Sequence, residues 1–249
     1  MRRTILFLLL GSVVVPTAAP AADNPSAPSA AKPDPAAKAA ALKLANILYS
    51  EESQVRMAER MVDQEIGPAF RSNQSFMDLE AEYPGFIDAL VQEFKPSLIR
   101  FTRRELPGYH DRVAELIASR LTAAEIEDLA SFYKTPTGQK LVHGVQDNLA
   151  SSSILKEAMD DPDKPASYGA IVSDHKAATE AATKLIDKAD EPGLIALSQK
   201  PYFTRLAVLG PDMRKLEQDF MNEPAPEFEA EVEAIVKATL ARFEGAKKR

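Results

Sequence analysis

Cysteine is absent from this 249-residue chain, which excludes disulfides, thiol nucleophiles, zinc–thiolate centres and a lipid-bearing cysteine after a leader. Tryptophan is absent too. Histidine occurs only as His110, His143 and His175, with no partner at metal-ligand spacing. His-Glu-x-x-His and Gly-x-Ser-x-Gly do not occur, and the 10 glycines are scattered rather than gathered into a phosphate-cradling loop. Alternating β-branched runs long enough for a strand are missing. No apolar run reaches the roughly 20 residues of a spanning helix. Nor is there a basic stripe: the formal net charge is −7, which argues against nucleic acid as a partner. The sequence therefore predicts no catalytic set, no metal and no cofactor.

What is present begins with an address. Met1-Arg2-Arg3 precedes an apolar core over residues 4–15, and Ala19-Pro20-Ala21 offers a small-x-small cleavage pattern. Residues 1–21 are expected to be a signal peptide, too short in its apolar part for a membrane anchor. Residues 22–38 carry alanine, serine and the prolines Pro25, Pro28, Pro33 and Pro35, but no large apolar side chain. Such a segment predicts a disordered or extended spacer, either holding a domain off a surface or exposing the cleavage site. The expected location is periplasmic or secreted.

Beyond the spacer every periodic segment has helical spacing. Ala41, Leu44, Ala45 and Leu48 open the fold, followed by Ala58, Met61, Val62, Ile66 and Phe70, closed by Gly67-Pro68 and the polar run Arg71 to Ser75. Pro84 should open a helix showing Ile87, Leu90, Val91, Phe94, Leu98 and Phe101, with a kink or restart at Pro96. Another helix, with Tyr109, Val113, Leu116 and Ile117, is expected after Pro107-Gly108.

The most specific stretch follows. Thr122 and Glu125 form a capping box ahead of Ile126, Leu129, Ala130 and Tyr133, with Phe132 widening the apolar stripe. Pro136 stops that helix and suits the first position of the next, which Thr135 caps. Gly138 then falls on the apolar side with Leu141 and Val142, where a missing side chain predicts close approach by the preceding helix, with Phe132 or Tyr133 over the gap. The pair is expected to form an αα-hairpin. A binding site made of Phe132, Tyr133, Gln139 and Lys140 is the competing use of these residues; a core tyrosine beside solvated Gln139 and Lys140 is the plainer one.

Thr122-x-x-Glu125-Ile126, then Phe132-Tyr133-x-Thr135-Pro136-x-Gly138-Gln139-Lys140-Leu141, resembles the signature of domain of unknown function 2059. The resemblance covers about Arg100 to Met159 and also takes in Leu129. It implies a small all-helical domain of exported bacterial proteins and transfers no catalytic residue.

A polar break at Asp160-Asp161-Pro162-Asp163-Lys164-Pro165 separates an expected domain over 39–160 from a helical region over 165–245. A faint echo of the signature recurs there, with Leu129, Pro136 and Lys140 answered by Leu194, Pro201 and Arg205. Duplication and the ordinary likeness of amphipathic helices both account for it. The expected architecture is all-α, a multi-helix bundle of antiparallel hairpins. His110, His143 and His175 are expected at solvated positions, and Asp128 likewise. The leading expectation is a non-enzymatic exported module binding an envelope protein or cell-wall component, of unknown oligomeric state. The alternatives are an envelope hydrolase working through carboxylates such as Glu125 or Asp128, and a periplasmic holdase-type chaperone.

Overall fold

The computed structural model describes residues 34–161 and 164–247. The expected signal peptide, its cleavage pattern and the spacer up to residue 33 lie outside the described residues. Among those described, all regular structure is helical, as expected. None of these helices is long and apolar enough to cross a membrane.

Helix α1 (Pro35–Leu48) starts within the segment expected as spacer. The Asp34 carboxylate accepts the Ala36 N–H at 3.2 Å, and Pro35 takes the first helical position, where its missing N–H is no loss. Ala37, Ala40 and Ala41 are buried, so small side chains here serve close helix approach.

Two glycine–proline signals that read as breaks are carried through by packing. Helix α2 (Glu51–Met61) passes into a π turn, π1 (Val62–Ile66), and on into α3 (Gly67–Ser72). Gly67 donates its N–H to Val62, five residues back, so the wider turn takes the chain into Pro68 without a stop. After α4 (Gln74–Glu82), Gly85 has φ of 89°, a left-handed conformation that favours glycine. Glu80 accepts from the N–H groups of Gly85 at 2.7 Å and Ile87 at 2.9 Å, and so caps the helix that opens at Phe86.

That helix, α5 (Phe86–Ala118), runs unbroken through both Pro96 and Pro107 for 33 residues, about 50 Å at 1.5 Å per residue. The expected restart at Pro107-Gly108 does not occur. Gln92, Pro96, Arg103 and Pro107 are all exposed, so the carbonyls that lose an N–H partner lie on the water-facing side. On the opposite side Leu90, Phe94, Leu98, Phe101, Tyr109, Val113 and Ile117 stay buried without interruption. Burial along the whole stripe outweighs two local penalties.

The remaining helices are α6 (Ala123–Tyr133), α7 (Pro136–Asn148), α8 (Ser152–Asp160), α9 (Tyr168–Thr183), α10 (Glu191–Ser198), α11 (Phe203–Met221) and α12 (Pro226–Lys247). Helices α11 and α12 cover α5 end to end in the opposite direction. Asp212 pairs with Arg120, Phe220 meets Tyr109 at 5.1 Å, Phe228 stacks on Phe101 at 4.3 Å, and Phe243 meets Phe86 at 5.9 Å. One hydrophobic cluster extends from Ala37 to Phe228, across the boundary expected near residues 160–165. Helix α6 packs mainly on α1, and α7 mainly on α9.

Candidate functional site

The Thr122/Glu125 capping box forms as expected. Thr122 donates its N–H to Glu125 at 2.9 Å, and Glu125 returns its own N–H to the Thr122 hydroxyl at 3.4 Å. Glu125 also pairs with Arg205 of α11, which ties this start to the C-terminal half. At the break, Thr135 gives both its N–H and its hydroxyl to the Phe132 carbonyl, at 2.9 and 2.7 Å, and its hydroxyl accepts the Gly138 N–H at 3.1 Å. A Cβ on Gly138 would sit 2.2 Å from the Phe132 carbonyl oxygen and 2.6 Å from the Tyr133 Cα. The close approach is as expected, but it is backbone, not an aromatic ring, that fills the gap. Beyond this joint α6 finds its main packing partner in α1, and α7 in α9.

The four candidate binding residues line neither the groove at α8 nor the one beside Pro224 and Pro226. Tyr133 is buried and meets the half-buried Phe132 edge-on at 5.4 Å; burial pushes its hydroxyl well above the usual range. Gln139 donates to the Tyr133 carbonyl at 2.5 Å and meets His143 at 2.8 Å through its own oxygen. Lys140 spans Asp187 at 2.9 Å and Asp190 at 2.8 Å, so α7 is clamped to the loop between α9 and α10.

Asp190 is the centre of that clamp. It also accepts the Thr137 hydroxyl at 2.9 Å and the Asp187 N–H at 3.0 Å. The Lys140 ammonium first, and these donors after it, hold its carboxyl down at about 2. A depressed carboxylate stabilises the fold above its unfolded value and loses that contribution as pH falls through the folded one. Asp190→Asn should therefore lower the melting temperature at pH 7. Its difference from the parent should close as pH falls from the ordinary 3.8 to about 2, as followed by thermal unfolding across pH.

An open groove of about 480 Å³ lies elsewhere, between π1–α3 and α8. Leu155, Met159, Ala69 and Glu65 are its more buried lining, while Ser152 and Lys156 stand exposed on it. Helix α8 begins without a cap from its own Ser151 side chain. Carboxylates from two distant elements supply the acceptors instead. Glu65, on the π turn, takes the Ser151 N–H at 2.7 Å through Oε2, with the Ser152 hydroxyl further off at 3.5 Å. Asp174 of α9 takes the N–H groups of Ser153 at 3.1 Å and Ile154 at 3.4 Å. Burial, the largest influence in each case, raises both carboxyls above their ordinary values, and Asp174 adds to the effect on Glu65.

Residues 110–147 match the family model described as an uncharacterized protein conserved in bacteria, DUF2059. No curated protein matches the chain, and no solved structure does. The DUF2059 segment takes in the end of α5, all of α6 and nearly all of α7, so it coincides with the joint and stops short of the groove. Every signature residue from Thr122 to Leu141 lies inside it, though the match is narrower than the stretch from Arg100 to Met159.

Three polar residues depart from their expected solvated positions. His110, the first residue of the DUF2059 match, is buried with Nε2 2.8 Å from the Tyr49 carbonyl, and burial lowers its pKa. His175 is buried with Nε2 2.7 Å from Glu217 of α11. Asp128 is half-buried and holds Lys200 at 2.8 Å together with the Tyr202 hydroxyl. In each case the polar group faces a partner from a distant part of the chain, which satisfies it inside the fold. His143 is exposed, as expected. Glu65, by contrast, carries no sequence signal: it sits among ordinary helical residues, and only the π turn and α8 give it a setting. Among the described residues no group of three or more histidine, aspartate or glutamate side chains is gathered as metal ligands would be.

Proposed function

We propose that the protein is an exported, non-catalytic binding module of the bacterial envelope, and that its ligand sits in the groove between π1–α3 and α8. One observation carries this choice of site. The groove joins apolar side chains to a half-buried carboxylate on a π turn, a combination that binding sites use for orientation and grip. Phe132, Tyr133, Gln139 and Lys140 are assigned to the joint, since their contacts hold α6, α7 and the α9–α10 loop together. Export rests on the basic start, the apolar core and the Ala19-Pro20-Ala21 pattern.

The test is to incubate the purified protein with fractionated envelope extract and identify what it retains by mass spectrometry. The parent should retain a compound unchanged, and Lys156→Trp, which fills the groove from an exposed position, should not. Conversion of the compound would overturn the binding role in favour of a carboxylate hydrolase. Equal retention by Lys156→Trp would move the site elsewhere.

A further inference from the structure

The charge of Glu65 calls for an explanation that capping alone does not give. An amide at this position would accept the Ser151 N–H as a carboxylate does, without the burial that opposes ionisation. The first turn of α8 favours a negative charge nearby, yet burial still outweighs that favour and the carboxyl is raised. Arg60 and Lys156 both bond to other groups. Arg60, whose charge acts on Glu65 without bonding to it, donates to the Gln146 carbonyl at 2.5 Å and the Leu149 carbonyl at 3.4 Å, and pairs with Asp147. Lys156, on the groove itself, pairs with Asp160 at 2.9 Å. Among the described residues no ion pair reaches Glu65, and its described hydrogen bonds fall on Oε2 alone. Glu65 therefore meets positive charge only at a distance, from Arg60, while Asp174 adds negative charge at this end of the groove.

Next to this carboxylate the lining turns apolar. Leu155 and Met159 are four residues apart on α8 and so share one side of it, about 5–6 Å between their Cβ atoms. Ala69 lines the same groove from α3. An anionic end followed by a short apolar strip fits a positive head on a carbon chain. We propose that the groove binds an aliphatic primary ammonium, its N–H donors on the Glu65 carboxylate and its carbon chain along Leu155 and Met159. The assignment rests on the groove being the binding site and names the chemistry of its ligand.

The probe is hexylammonium chloride, titrated into the full chain with the Ser151 amide and the Met159 methyl followed by NMR, beside hexanol as the uncharged counterpart. Saturable shifts at both groups are expected, with a Kd on the order of 1 mM for so small a ligand. Hexanol should bind at least about tenfold more weakly, and Glu65→Gln should lose about tenfold in hexylammonium affinity while retaining the Ser151 hydrogen bond. Equal shifts from hexanol, or an undiminished affinity in Glu65→Gln, would overturn the ammonium assignment and leave the groove as a site for apolar chains. Shifts at neither group would overturn the ammonium assignment as well. A compound from envelope extract still retained by the parent and lost in Lys156→Trp would then show that the groove survives as the site.

Discussion

Gly138→Ala should destabilise the protein by about 3 kcal/mol or more, at the upper end of what overpacking does, because the added Cβ runs into the Phe132–Tyr133 backbone. It would sit 2.2 Å from the Phe132 carbonyl oxygen and 2.9 Å from the carbon of the same group. Neither atom can rotate away as a side-chain tip would. That carbonyl is also the acceptor for both donors of Thr135, so opening the joint to admit a methyl group would break the cap that starts α7. Gly108→Ala is the matched control, since its Cβ would meet nothing within 4 Å and the residue lies inside α5. There the change should stabilise by about 1 kcal/mol, the usual difference between the two residues in a helix. Urea unfolding of the two variants should give shifts of opposite sign. Similar small effects at both positions would mean that the α6–α7 joint is looser than its geometry.

Glu217→Ala should cost about 3–5 kcal/mol, the range for removing one member of a buried charged or hydrogen-bonded pair. Glu217 is 4 % exposed and its Oε2 lies 2.7 Å from His175 Nε2, which joins α9 to α11 beneath the surface. Tyr49 and Tyr109, both buried, lie close enough for its charge to help keep their hydroxyls protonated, after burial itself. Truncation would leave the imidazole without its acceptor and a cavity among three helices. A double-mutant cycle with His175→Ala, read by chemical denaturation, should give a coupling of about 1 kcal/mol or more. Additive effects would show that the two side chains stabilise the fold independently.

The residues that read correctly from sequence are those whose role is local. Thr122 with Glu125, Thr135 before Pro136, and the bare Cα of Gly138 each act on neighbours within a few positions, so their spacing alone predicts the contact. Pro96 and Pro107 misled because a proline penalty is local while its remedy, a continuous buried stripe on the far side of α5, is not. His175 looked solvated from the polar letters around it. A longer window held the signal, since Ile171, Ala178 and Ala182 place it on a buried side at helical spacing. What no window could supply was Glu217, 42 residues away, or the pairing of Asp128 with Lys200 and Tyr202. Glu65 was illegible for the same reason: its importance arises from Ser151, 86 residues later. The family match inherits this limit, because it covers the locally legible joint and not the groove.

If the joint holds the fold while the groove holds the ligand, the two should separate in one titration. Hexylammonium affinity measured on Lys140→Met, which breaks the clamp on Asp187 and Asp190, should equal that of the parent even though the variant melts earlier. A loss of affinity in Lys140→Met as large as that in Glu65→Gln would contradict the division and return the signature residues to the binding site.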